Sequence, residues 1–74
     1  MNKFAVEITD TFGGEANYSW VKRFSVEAKS ILGAVQKVAR DQGGGWRVEY
    51  NNGDFARYNL KGACVCMFVE YAED

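Results

Sequence analysis

Few residues in the chain could carry out chemistry, and two cysteines are the first candidates. Cys64 and Cys66 lie two residues apart within the apolar run 63–69. On a β-strand this spacing places both side chains on one face, with Cα atoms roughly 6.5–7 Å apart, at or beyond the usual limit for a disulfide. The chain has no histidine, so two thiolates would have to form a metal site without the usual partners. We expect two buried, reduced thiols; the alternative is an intermolecular disulfide or metal bridge in a dimer.

The other reactive residue types form no catalytic arrangement. General acid–base catalysis near neutral pH most often uses histidine, and without it a Ser–His–Asp triad is excluded. Asp10 and Glu15 flank a loop with two glycines, a setting typical of solvated turn carboxylates. The glycine run 43–45 follows a predicted helix, so it meets the negative end of the helix dipole, where phosphate does not bind. The sequence therefore predicts a protein that is not an enzyme and that uses no metal or cofactor.

The chain is predicted to begin with two β-strands, which would help to position any functional side chain. In the first, over residues 3–9, apolar Phe4, Val6 and Ile8 alternate with mostly polar residues. Residues 10–15 are predicted to form a loop because they contain two adjacent glycines. The second strand has the clearest period of two in the chain. Its apolar face is predicted to carry Tyr18, Trp20, Phe24, Val26 and Ala28.

A helix is predicted to begin at Ser30, whose hydroxyl can accept a hydrogen bond from a first-turn N–H. The glycine run 43–45 ends it. Gly33 weakens the helix by about 1 kcal/mol relative to alanine, which a close approach of its backbone to the sheet would explain. The apolar stripe consists of Ile31, Leu32, Val35, Val38 and Ala39. We expect Trp20, Phe24 and Trp46 to pack beneath Leu32, Val35 and Val38.

The rest of the chain is predicted to be a three-stranded meander over 46–50, 55–60 and 63–71. Trp46, Val48 and Tyr50 alternate with polar residues and are assigned to the core face. A three-residue loop at 51–53 places Val48 opposite Ala56, which keeps apolar residues together. A two-residue loop at 61–62 places Tyr58 opposite Val65 by the same reasoning.

Together these elements predict an α+β fold, with a single antiparallel five-stranded sheet in the order β-β-α-β-β-β and one helix packed on one face. The last strand is apolar on both faces, so it is expected to be central, and the predicted spatial order is 2-1-5-4-3. A chain of 74 residues has room for one domain, residues 1–74. No apolar window approaches the ~20 residues of a membrane-spanning helix, so we expect a cytoplasmic protein with no membrane partner.

Net charge narrows the kinds of partner. Nine basic and ten acidic residues give a formal charge of −1, which argues against a strongly basic nucleic-acid binder and against an acidic DNA mimic. A hydrophobic fraction of 47% is too high for a disordered tail. The single helix cannot cover both sides of the sheet, so one face is expected to stay open.

The expected working surface is that open face. The residues assigned there to partner binding are Arg23, Arg47, Glu49, Phe55 and Arg57. Arginine and aromatic residues beside an apolar centre have the composition of a protein-binding hot spot. A small nucleic-acid-binding accessory protein is the alternative, because arginine and phenylalanine on an open sheet can stack bases. Nucleic acid is the less favoured partner, since the second helix and the glycine–aromatic signature of RNA-recognition sheet domains are absent and Glu7 and Glu49 lower the positive charge. A homodimer that uses the same face is the third alternative.

The order of elements resembles that of some anti-CRISPR proteins among the small proteins encoded by phages and mobile elements. The resemblance covers a strand, a glycine loop, a long strand, a helix from Ser30 and a meander from Trp46. Residues 10–20, from Asp10 to Trp20, are similar to stretches in uncharacterised phage reading frames. The resemblance implies an inhibitor that binds a bacterial defence protein or a Cas-type ribonucleoprotein in the host cytoplasm and blocks DNA access or cleavage. The near-neutral charge departs from the acidic anti-CRISPR proteins that imitate DNA.

Overall fold

The computed structural model describes residues 2–13, 15–43 and 45–72, which form one sheet and one helix. Gly14 and Gly44, which the sequence places in the two glycine loops, lie outside the described residues. The elements in chain order are β1 (Asn2–Phe12), β2 (Glu15–Ala28), α1 (Ile31–Gln42), β3 (Trp46–Asn51), β4 (Phe55–Leu60) and β5 (Val65–Tyr71). All strand pairs are antiparallel and the spatial order is β2-β1-β5-β4-β3. The predicted fold class and the predicted strand order are both confirmed.

Helix α1 begins as the sequence predicts. The Gly33 N–H donates a hydrogen bond to Ser30 Oγ at 3.1 Å, so Ser30 is the N-cap. At the other end the Gly43 N–H donates to the Ala39 carbonyl at 2.8 Å, with Gly43 at a φ of 74° that favours glycine. A Cβ added at Gly33 would meet its nearest neighbours at 3.5 Å, which is ordinary contact. Close approach to the sheet therefore does not explain this glycine.

The core lies between α1 and the sheet. The helix packs on β2 and β5, and its buried residues follow the spacing i, i+3, i+4, i+7 of a single helical face. These are Ile31, Ala34, Val35 and Val38. From the sheet the core receives Phe4, Val6, Ile8, Ala28, Ala56, Tyr58, Met67 and Val69. Phe24 and Trp46 pack against the edge of the core and are partly buried. The prediction that these two residues lie beneath the helix is therefore met only in part.

Of the six residues expected to form the contact between helix and sheet, two are exposed, Leu32 and Trp20. Leu32 is 53% exposed because it is one residue, about 100°, around the helix from the buried Ile31. Trp20 is 43% exposed. A helix of twelve residues is about 18 Å long, and this length spans only about five or six residues of a strand. Since Lys22 Nζ already reaches Gln42 Oε1 in the last helical turn at 3.5 Å, Trp20 lies beyond the end of the helix.

The first hairpin is longer than predicted, because strand structure continues through most of the expected loop. Asp10 holds its far end together: its carboxylate accepts hydrogen bonds from the Ser19 N–H and the Asn17 side-chain amide, both at 2.9 Å, and from the Ser19 hydroxyl. These bonds hold the pKa of Asp10 well below its usual range. The pairing register shifts between Thr9 and Thr11, and Tyr18 nearby has a φ of 57°.

The meander has the predicted strands but a different register. Val48 pairs with Tyr58 rather than Ala56, and Tyr58 pairs with Met67 rather than Val65. Both shifts are of two residues, so these side chains stay on the helix side of the sheet. Val48 is nevertheless 54% exposed, because β3 is an edge strand and α1 packs on β2 and β5, so its prediction as a core residue is wrong. An irregularity between Val48 and Tyr50 then reverses the alternation, and Tyr50 pairs with Arg57. Tyr50 therefore leaves the predicted core face and joins the opposite side of the sheet.

In the described part of the chain the one helix is α1, and its twelve residues are too few to cross a membrane.

Candidate functional site

The candidate site is the sheet face opposite α1, here called the open face. Its centre is a row of side chains that crosses all five strands at one level, because each residue is paired with the next in the strand register. In spatial order this middle row consists of Arg23, Glu7, Phe68, Arg57 and Tyr50. A lower row beside it consists of Ser25, Ala5, Glu70 and Phe55. An upper row on the other side consists of Val21, Thr9, Cys66, Asn59 and Arg47.

The five residues predicted to bind a partner all lie on this face. Arg23 and Arg57 belong to the middle row, Phe55 to the lower row and Arg47 to the upper row. Glu49, at the irregularity in β3, reaches Arg57. The alternation of each strand therefore groups these residues. Phe55 and Arg57 both lie against the Phe68 ring, whereas among the described residues no ring contact joins Arg23, Arg47 or Glu49 to them.

Two ion pairs flank the centre of the open face. Arg23 Nε lies 2.8 Å from Glu7 Oε2, and Arg57 Nε lies 2.6 Å from Glu49 Oε2. The Arg57 guanidinium carbon also lies 5.5 Å from the centre of the Phe68 ring, within cation–π distance. The guanidinium of Arg57 is thus held in place by a carboxylate and an aromatic ring.

Three aromatic rings on β3, β4 and β5 form a continuous cluster on this face. The ring centres of Tyr50 and Phe55 are 6.4 Å apart and those of Phe55 and Phe68 are 5.9 Å apart, and both pairs are tilted. Such ring pairs stabilise by about 0.5–1.5 kcal/mol beyond the area that they bury. Tyr50 is exposed and the two phenylalanines are half-buried, so the cluster presents apolar surface to solvent.

Tyr18 is a functional candidate that the sequence pattern assigned to the wrong face. Its hydroxyl hydrogen-bonds to the Glu7 carboxylate, which lowers the pKa of Glu7 and raises the pKa of Tyr18. Its backbone N–H donates to Thr9 Oγ1 at 3.1 Å. The irregular backbone at the end of the hairpin brings Tyr18 to the open face. Strand alternation alone cannot predict that Tyr18 changes face. The polar residues around Asp10, whose side chains can hydrogen-bond to nearby backbone, are the one sequence feature that could indicate irregular backbone there.

The upper row shows that part of the open face is closed. Thr9 and Cys66 are fully buried there, and Thr9 Oγ1 donates to the Trp20 carbonyl at 2.9 Å. Burial raises the pKa of the Cys66 thiol, so it is a poor nucleophile.

Cys64, expected to be buried too, is exposed because it precedes β5 in the turn. Both cysteines are free. Among the described residues no cluster of three Cys, Asp or Glu side chains is placed to hold a metal.

A groove of about 620 Å³ opens between β2 and the aromatic cluster. It exists because Ala5 and Ser25 are small and lie side by side in the lower row, between larger neighbours. The side chains around it include the aromatic Tyr18, Phe55 and Phe68 and the charged Glu7, Arg23 and Glu70. Pockets of about 300–1,000 Å³ are of the size that commonly binds small molecules.

Charges on the open face balance. Strand alternation places four basic residues there, Lys3, Arg23, Arg47 and Arg57, and four acidic residues, Glu7, Glu27, Glu49 and Glu70. A face of this kind has no net field to attract the phosphates of a nucleic acid.

Comparison with known proteins finds no protein-family model, curated protein or solved structure that matches this chain.

Proposed function

We propose that this chain is a non-catalytic inhibitor of the phage anti-CRISPR type, which binds a bacterial defence protein or a Cas-type ribonucleoprotein through its open face and blocks its action. The observation that supports binding is the aromatic cluster of Tyr50, Phe55 and Phe68, which presents apolar surface to solvent beside two ion pairs. Binding in the host cytoplasm follows from this proposal.

The arrangement suits a protein partner. Hot spots at protein interfaces are enriched in tyrosine, tryptophan and arginine, and surrounding contacts that add little binding energy shield them from water. Here Arg57 is already oriented by Glu49 and Phe68, so less conformational entropy is lost when a partner covers it. The apolar centre supplies affinity and the flanking charges supply orientation.

Nucleic acid fits the face less well. A nucleic-acid surface needs basic groups that can neutralise phosphates, but Arg23 is paired with Glu7 and Arg57 with Glu49. The salt dependence of binding distinguishes the two hypotheses. Affinity for nucleic acid falls steeply between about 50 and 200 mM salt, whereas the affinity of an apolar protein interface changes little.

The experiment has two stages. The purified chain is first used to capture partners from nuclease-treated lysates of bacteria with active CRISPR systems, and each candidate is then titrated as a purified component. Phe55→Ala and Arg57→Glu are each expected to weaken binding by about 2 kcal/mol or more, roughly 30-fold. The double variant Glu49→Arg with Arg57→Glu restores the internal ion pair and separates loss of a partner contact from repulsion within the chain.

Arg40→Glu, on the exposed side of α1, is the matched control and is expected to leave binding unchanged. Lys37→Glu is a weaker control because Lys37 Nζ donates to the Glu27 carbonyl and links the helix to β2. The inhibitor proposal is tested in cells: expression of the chain should restore plating of a phage that the captured system targets. Loss of binding in the helix variant with intact binding in the open-face variants would place the working surface on the helix. Binding of purified single-stranded DNA or RNA, with an affinity that falls steeply with salt, would support the accessory-protein alternative.

A further inference from the structure

We propose that the groove on the open face receives an arginine side chain of the protein partner. This inference rests on the proposed function, since it names the chemistry of the partner at the same face. It follows from the aromatic side chains, the charge balance and the size of the groove, each of which excludes a different kind of occupant.

Aromatic rings line the groove where a flat cation would stack. Tyr18, Phe55 and Phe68 contribute to its surface. Phe68 already has the Arg57 guanidinium within 5.5 Å of its ring centre, so this cluster holds one guanidinium inside the chain. A guanidinium is planar and weakly hydrated, and it stacks on aromatic rings better than an ammonium does. This is the reason to expect arginine.

The ionised groups of the groove favour a cation. Two carboxylates, Glu7 and Glu70, face one guanidinium, Arg23. Glu7 already accepts hydrogen bonds from both Arg23 and Tyr18. Glu70 is exposed, and within the described residues no ion pair involves it. The groove therefore holds one negative charge whose opposite charge is not supplied by its neighbours, whereas an anion would have to displace Glu7 from Arg23 and lie near Glu70.

The size of the groove admits a segment of protein and is too large for a metal ion. At about 620 Å³ it exceeds the volume of one arginine side chain, so residues on either side of the basic residue also fit. Ser25 and the phenol of Tyr18 can hydrogen-bond to such flanking backbone. A metal ion would leave most of this space empty and would meet aromatic rings instead of oxygen ligands.

The test uses three blocked pentapeptides, in which arginine, citrulline or glutamate is flanked by glycines. Each is titrated into the folded full chain, and amide and aromatic NMR shifts are followed. The arginine peptide is expected to shift Phe55, Phe68 and Glu70 with a dissociation constant on the order of 1 mM, as suits one anchoring side chain. Citrulline, which keeps the shape and loses the charge, should bind about tenfold more weakly or not at all.

The matched variants are Glu70→Gln and Glu15→Gln, the second being an exposed glutamate on the hairpin away from the groove. Glu70→Gln should weaken the arginine peptide about tenfold while Glu15→Gln leaves it unchanged, with equal thermal unfolding of both variants showing that the fold is intact. Equal binding of citrulline would overturn the proposal, since charge would then have no part. Preference for the glutamate peptide would identify Arg23 as the receptor of an anion and overturn it as well.

Failure of all three peptides, or no effect of Glu70→Gln, would also overturn the groove proposal. It would leave the proposed function standing if Phe55→Ala and Arg57→Glu still weaken partner binding, because those variants test the whole face. A positive peptide result without any captured partner would support the groove and count against the inhibitor. The two proposals can therefore fail separately.

Discussion

The two faces of the sheet use the same five strands and similar apolar residues to different ends. On the helix face Phe4, Met67 and Val69 are fully buried beneath α1. On the open face Phe55 and Phe68 are half-buried and Tyr50 is exposed. The difference arises because the one helix that the structure describes covers a single side. Aromatic residues that the helix leaves uncovered can therefore contact a partner protein, whereas those beneath the helix stabilise the fold.

The energetic contrast between the faces is equally plain. Full burial of a large apolar side chain stabilises by about 1.5–3 kcal/mol. Exposed ion pairs of the kind that Arg23 forms with Glu7 contribute about 0.2–1 kcal/mol. Stability should therefore depend on the helix face, and binding on the open face. Variants of the two faces test this division.

Phe4→Ala and Phe55→Ala are the pair that tests the division most directly. Phe4 is fully buried and its ring centre lies 4.6 Å from that of Tyr71. Its truncation is expected to cost about 3–5 kcal/mol of unfolding free energy, enough to unfold much of the protein. Phe55→Ala should cost about 1 kcal/mol. Urea unfolding followed by circular dichroism measures both, and equal losses would show that the open face also serves as core.

Trp20→Ala tests where the core ends. A tryptophan beneath the helix would cost about 3–5 kcal/mol on truncation, but Trp20 lies beyond the last helical turn and is largely solvated. We expect a loss of about 1 kcal/mol, seen as a shift of several degrees in thermal unfolding. A loss as large as that of Phe4→Ala would mean that the helix face extends to the end of the hairpin.

Gly33→Ala should stabilise the protein, on the helix side of the comparison. The added methyl group would meet Ala28 Cβ and Ser30 Oγ at 3.5 Å, which is ordinary contact, and alanine favours a helix by about 0.5–1 kcal/mol over glycine. Thermal unfolding is expected to rise accordingly, with partner binding unchanged. Gly53→Ala is the contrasting variant, because a φ of 92° at that turn makes alanine unfavourable there. Destabilisation by Gly33→Ala would indicate that the helix must bend at this point.

Asp10, at the end of the first hairpin, is expected to make the stability of the fold depend on pH. Hydrogen bonds from Ser19 and Asn17 lower the pKa of Asp10 in the folded state below its ordinary value of 3.8. The unfolded chain therefore takes up the proton first as pH falls, so the stabilisation is complete above pH 3.8 and is lost progressively in more acid solution. Asp10→Asn should flatten this part of the profile, measured as unfolding midpoint against pH. An unchanged acid slope in the variant would mean that other carboxylates, Glu7 among them, govern acid sensitivity.

Much of the fold and part of the site could be predicted from the sequence. Alternation in β1 identified Phe4, Val6 and Ile8 as core residues, and Ser30 marked the start of the helix. The five residues assigned to partner binding do share one face. The importance of Phe68 and Tyr18 to that face was not predicted, since it depends on which rings meet across strands.

Local patterns along the chain specify the elements and their order, because periods of two and 3.6 and the capping residues act within a few neighbours. Register and exposure instead depend on how distant segments pack. The irregularity in β3 moves Tyr50, which follows it, to the other face of the sheet, and no local sequence pattern predicts this shift. Likewise Trp20 is exposed because a twelve-residue helix is shorter than the strand beneath it, a comparison of lengths that only the packed molecule makes.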